Sequence, residues 1–135
     1  EPAIDLLFPK ARTGNRWCMS NLPVGDRGAL EKAWACLNLD ELIVMMNPAG
    51  RNHKLNFQNL AKPHDRRTLE FRQHAGTASS EEVSDWVQFL VNWLDGAVRL
   101  PSPCALKAGV HPTEKLFEWV VEDQDLHKFC RPRFA

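Results

Sequence analysis

RRTLEFRQHAGT, residues 66–77, changes character at every step. Thr68, Glu70, Arg72 and His74 fall on one parity, and Leu69, Phe71 and Gln73 on the other. Successive side chains of a strand point to opposite faces, so this pattern predicts a strand with a charged face and a mostly apolar one. KLNFQNL, residues 54–60, repeats the scheme, with Leu55 and Phe57 against Lys54, Asn56 and Gln58. The two stretches, near 53–60 and 67–74, are joined by the short link AKPHDR and read together as a β-hairpin. Like faces must match across the pair. A register with Lys54 opposite Arg72 sets like charges together, which is unfavourable. The preferred register therefore places Asn56 opposite Arg72, Gln58 opposite Glu70 and Lys54 opposite His74.

Helical patterns surround the hairpin. Residues 2–8 form a short helix stopped by Pro9. Asp26 is the expected N-cap of a helix whose packing side is Leu30, Ala33, Trp34 and Leu37, and Asp40 that of a second, ELIVMM, ended at Asn47-Pro48. After the hairpin, Ser79 and Glu82 make a capping box for a long helix. Its stripe is Val83, Trp86, Val87, Leu90, Val91, Leu94 and Val98, widened by Phe89 and Trp93. Pro101 and Pro103 break the chain before a last helix led by Thr113, with Leu116, Phe117, Val120 and Val121. The expected fold class is α+β, a small antiparallel sheet covered by helices. Residues 1–100 form its main body, and 101–135 a helical tail of unknown role.

Composition limits what the charged face can do. The 135-residue chain is 44% hydrophobic and 25% charged, an ordinary globular mixture. Its 17 basic and 17 acidic side chains cancel, which argues against nucleic acid or an anionic membrane as partner. The start lacks the pattern of a signal peptide, and no stretch is long enough to span a bilayer, so the expected setting is cytoplasmic. Cys18, Cys36, Cys104 and Cys130 form no CxxC pair, and the five histidines show no zinc-finger spacing. Nothing beside Cys18 would lower a thiol pKa. His53, His64, His111 and His127 read as solvated side chains, and Trp34, Trp86 and Trp93 as packing residues. The terminal RPR is too short to be a basic patch.

Two readings of the strand face remain open. One is a half-solvated strand of an antiparallel sheet. The other is a site: the Glu70 carboxylate suits a hard cation such as Mg2+, and the Arg72 guanidinium fork suits a phosphate or carboxylate. Lys54 and Asn56 are expected neighbours and His74 stands at the end. No glycine-rich phosphate loop competes for that role.

EPAIDLLFP, NRWC, KLNFQNL and above all TLEFRQHAGT with a helix behind it resemble the C-terminal part of the putative amidoligase enzyme family, grouped with glutamine synthetase and glutamate-cysteine ligase. The resemblance spans about the first hundred residues; the tail after Leu100 matches nothing in it. It implies a partial glutamine-synthetase-like fold and an ATP-dependent carboxylate-amine ligase that activates the carboxylate as an acyl phosphate. Carried over, Glu70 would hold Mg2+, and Arg72 would touch the transferred phosphate. With His74 the arginine forms the catalytic set, and Arg72, Asn56 and Lys54 the ATP-binding set. Family members carry further acidic metal ligands in an N-terminal region that precedes the matched part. The chain is therefore expected to be a fragment, inactive alone. The alternative is a non-catalytic binding or interaction module that keeps the fold. Expected partners are carboxylate and amine substrates or a protein acceptor, together with self-association through apolar surface at Leu6, Leu7, Phe8 and Trp93.

Overall fold

In a computed structural model of the chain, the described residues are 2–5, 8–22, 28–61 and 67–99. Expectations for Leu6, Leu7, Asp26, His64, His111, His127 and the helix after Thr113 fall outside them. The fold is α+β: α1 (Pro2–Asp5), α2 (Ala29–Trp34), α3 (Leu39–Met46), β1 (Leu55–Asn56), β2 (Glu70–Phe71) and α4 (Ser80–Arg99). Two compact units result, Pro9–Ala75 and Glu1–Phe8 with Gly76–Ala135.

The sheet of the first unit is far shorter than the alternation predicts, and its register is the one that charge repulsion disfavours. Leu55 faces Phe71 and Asn56 faces Glu70, and the Arg72 N–H donates to the Lys54 carbonyl at 2.9 Å. The repulsion is offset locally, because Glu70 lies two residues from Arg72 on the same face and ion-pairs with it. β1 ends early because the Asn56 side chain accepts from the Gln58 N–H at 3.0 Å. That bond turns the chain into a 3-10 helix, Gln58–Ala61.

The other edge of β1 is closed by a single-residue partner and by side chains. Met19 bridges His53 in parallel, giving its N–H to Asn52 and accepting from the Lys54 N–H. Leu55 then gives its N–H to Asn21 Oδ1 at 2.8 Å. Its carbonyl accepts from Asn21 Nδ2 at 2.6 Å and Asn47 Nδ2 at 3.0 Å. Asn47 Oδ1 takes the Phe57 N–H at 2.8 Å, and Asn21 Nδ2 also reaches Met46 O, at the end of α3. Both asparagines are buried, so these bonds satisfy main-chain groups that water does not reach. His53, expected in solvent, is buried too. It donates from Nδ1 to Ser20 O at 2.7 Å and accepts at Nε2 from the Ala49 N–H at 3.3 Å.

Asn38, not Asp40, caps α3. Its Oδ1 accepts from the Glu41 N–H, while the Glu41 carboxylate returns to Asn38 Nδ2 and the Leu37 N–H. On the expected packing side of α2, Ala33 is half-buried, whereas Trp34 is 73% exposed and Leu37, beyond the helix end, 89%.

In the second unit Ser79 caps α4 as expected, its hydroxyl accepting from the Glu82 N–H at 3.2 Å. The return half of the box is replaced by Thr77 Oγ1, which takes the Ser79 N–H. The buried side of α4 is aromatic. Phe89 is fully buried, with Trp86 stacked on it at 5.6 Å and the Phe8 ring edge-on to Trp86 at 5.2 Å. Phe8 is thus part of this core and Trp93 is half-buried. The exposed apolar side chains are Val83, Val87, Val91, Leu94 and Val98, on the stripe expected to pack.

Replacing Asn21 by Ala strands the Leu55 N–H and strips donors from two carbonyls. The loss expected in urea unfolding is about 3 kcal/mol. Val44→Ala, at a position 70% exposed, is expected to change stability by less than about 0.5 kcal/mol. Equal effects at the two positions would contradict the role given to Asn21.

Candidate functional site

Residues 70 and 72 share a strand face because they are two apart. Arg72 Nη1 contacts Glu70 Oε1 in an ion pair. The register brings Asn56 across from Glu70, and its Nδ2 donates to Glu70 Oε2 at 2.9 Å. Arg72 Nε donates to Trp17 O at 3.1 Å. Each carboxylate oxygen thus has one donor and keeps further lone pairs, while Arg72 Nη2 makes no hydrogen bond among the described residues. The Arg72 side chain is 18% exposed and that of Glu70 36%. The pair is therefore half-withdrawn from water, where charge-charge attraction outweighs that of a surface salt bridge.

Burial on this sheet runs against the expected polarity. Lys54 and Asn56 are buried at 5% and 3% exposure, whereas Leu55 and Phe57 are only half-buried. The polar parity of β1 is an internal polar layer, not a solvated face. Lys54 supports the site through its main chain, its carbonyl holding the Arg72 N–H. His74 shares the parity of Glu70 and Arg72, but its ring Nδ1 donates to Ala75 O at 2.6 Å.

Sequence reasoning missed Arg12. The 3-10 turn Lys10–Arg12, closed by the Arg12 N–H on Pro9 O at 2.7 Å, sends its guanidinium across to the strand end. Nη2 donates to Arg72 O at 2.5 Å and to His74 O at 3.0 Å, and the buried Cys18 thiol also faces Arg72 O at 3.7 Å. Arg12 Nε is buried with no hydrogen-bond partner among the described residues. No local signal marks this residue, because its partners lie 60 and 62 positions away.

Among the described residues no group of three or more His, Cys, Asp or Glu is placed to hold a metal ion. Glu70 is the one carboxylate on this strand face, and its oxygens keep lone pairs that a hard cation could take.

Arg12→Ala is expected to destabilise the chain by about 2 kcal/mol through the loss of two charge-assisted bonds. The Gln73–Ala75 amides should exchange faster with solvent. Unchanged exchange there, at any stability, would mean that Arg12 does not hold the strand end.

A family model described as "putative amidoligase enzyme" matches residues 15–94, more than half of the chain. The match takes in Trp17, both strands and the Glu70–Arg72 pair, and leaves Arg12 outside. No curated protein and no solved structure matches the chain significantly. With the paired strands and their charged face inside the matched region, the chain belongs to the family of putative amidoligase enzymes.

Proposed function

We propose that the chain supplies a phosphate- and metal-binding strand to an ATP-dependent carboxylate-amine ligase working through an acyl phosphate. The reading places it in the C-terminal part of such an enzyme, with glutamine synthetase and glutamate-cysteine ligase as relatives, in a cytoplasmic setting. The supporting observation is the half-buried Glu70–Arg72 pair, oriented by Asn56 and Trp17 O. Phosphoryl transfer depends on positioning and on charge arranged before the reaction. In this scheme Arg72 turns Nη2, and Nη1 when it leaves Glu70, toward the oxygens of the transferred phosphate. Glu70 offers its remaining lone pairs to the metal, and Asn56 fixes the carboxylate plane from across the sheet. Mg2+, when bound, offsets the negative charge on the phosphate oxygens. Lys54 holds Arg72 through its carbonyl, and His74 is the candidate acid or base at the strand end. The substrates are a carboxylate and an amine, or a protein acceptor. Self-association, in this reading, falls on the exposed Val87, Val91 and Val98 of α4 rather than on the buried Phe8. Val91→Glu should then shift sedimentation toward monomer, and an unchanged profile would remove that surface.

One observation favours the alternative, a binding module without activity: both Glu70 oxygens already have donors, as in a purely structural pair. Paired variants separate the readings. In the intact protein, Arg72→Lys keeps charge but loses the planar fork, and ATP turnover coupled to amide formation should fall about 100-fold or more. Glu70→Gln should lower turnover and raise the Mg2+ concentration needed for half-maximal rate. Full turnover in both variants would leave the pair as a structural element alone.

A further inference from the structure

Trp17 is held firmly at its main chain and left open at its ring. Its N–H donates to Asn15 Oδ1 at 2.7 Å, and its carbonyl accepts from Arg72 Nε at 3.1 Å. The next residue, Cys18, is fully buried. Met19 then ties the segment to the strand through Asn52 O and the Lys54 N–H. Trp17 as a whole nevertheless remains 50% exposed. One isolated exposed aromatic needs no explanation. This one differs in two respects: it adjoins the arginine of the candidate phosphate site, and the Arg16 guanidinium lies over its ring, 4.6 Å from the centroid. Arg16 is itself exposed, so that cation-π contact is of the weak, displaceable kind.

We propose that Trp17 is the stacking platform for the purine base of the nucleotide whose phosphates meet Arg72, with Arg16 lifting from the indole to admit it. The proposal rests on the phosphate-site reading above. An indole face accepts any flat base, and a guanidinium plane stacks on the opposite face of a base as readily as on tryptophan. Arg16 therefore exchanges one flat partner for another. A cationic amine substrate is the less suitable occupant, because Arg16 already brings positive charge to this face. Because the Trp17 carbonyl is bound to Arg72, base and phosphate contacts are registered to one another by a single hydrogen bond.

The test is calorimetric titration of the intact protein with Mg2+-ATP and, separately, with Mg2+ and inorganic triphosphate, which has no base. Trp17→Ala should weaken ATP binding about tenfold while leaving triphosphate binding unchanged, and Trp17→Phe should recover most of the loss. Arg72→Lys should weaken both ligands alike. If Trp17→Ala binds ATP as the parent does, or loses both ligands equally, the platform is overturned. If Arg72→Lys changes neither ligand while Trp17→Ala still weakens ATP alone, the phosphate reading fails and the platform stands. A parent protein that binds neither ligand overturns both. Thermal unfolding of each variant identifies losses that come from misfolding.

Discussion

The arrangement of Pro9–Ala75 depends on two buried asparagine side chains that close the outer edge of a two-residue strand. A strand of that length makes too few ladder bonds to hold itself. Leu55 turns both its main-chain groups away from β2, and unpaired they would each be a buried penalty. Asn21 supplies an acceptor and a donor, and Asn47 a second donor. The same Asn21 amide reaches the last carbonyl of α3, that of Met46, so one side chain joins strand edge and helix end. Gly50, at φ 87°, follows Asn47 in a turn closed by its N–H on Asn47 O. The chain reversal that presents Asn47 thus depends on a conformation suited to glycine.

This edge closure decides the register, and the register decides the site. With Leu55 committed to the asparagines, Lys54 and Asn56 point their main-chain groups and side chains to the remaining positions. Asn56 then falls opposite Glu70 rather than opposite Arg72. Pairwise repulsion between Lys54 and Arg72 argues for a different register only if the two charges are taken alone. Glu70 accepts from Arg72 and from Asn56 together, and that three-residue network outweighs one unfavourable pairing.

Sequence made the helices, the paired strands and the Glu70–Arg72 face legible because each is a local pattern. Parity puts Glu70 and Arg72 on one side, and Ser79 before an apolar run marks the start of α4. It left out whatever is set by partners distant in the chain. Arg12 reads as one more basic loop residue, since its carbonyl partners are unspecific in type and lie beyond 60 positions. His53 reads as a solvated side chain and nothing local singles out Asn21, although each is a buried connector. Alternation also misassigned the inside of β1: period two reports two faces but not which one is covered, and here the polar face is. Along α4 valines and aromatics both recur at helical spacing, and the larger aromatics gain more from burial, so Trp86 and Phe89 took the inner side.

In the function proposed above, the Glu70–Arg72 pair is one that a ligand reopens. A fully buried pair would be held by the cost of leaving either charge alone, and a fully exposed one would have no fixed direction. At 18% and 36% side-chain exposure the two stand between these limits. An approaching phosphate competes with Glu70 for Arg72, and a cation competes with Arg72 for Glu70. Neither alone leaves the site balanced, because each frees one half-buried charge while engaging the other. Phosphate and cation arriving together satisfy both groups at once. In the proposed reading, the arrangement would favour a metal-bound phosphate over either component, while Asn56 and Trp17 O keep the two side chains in place.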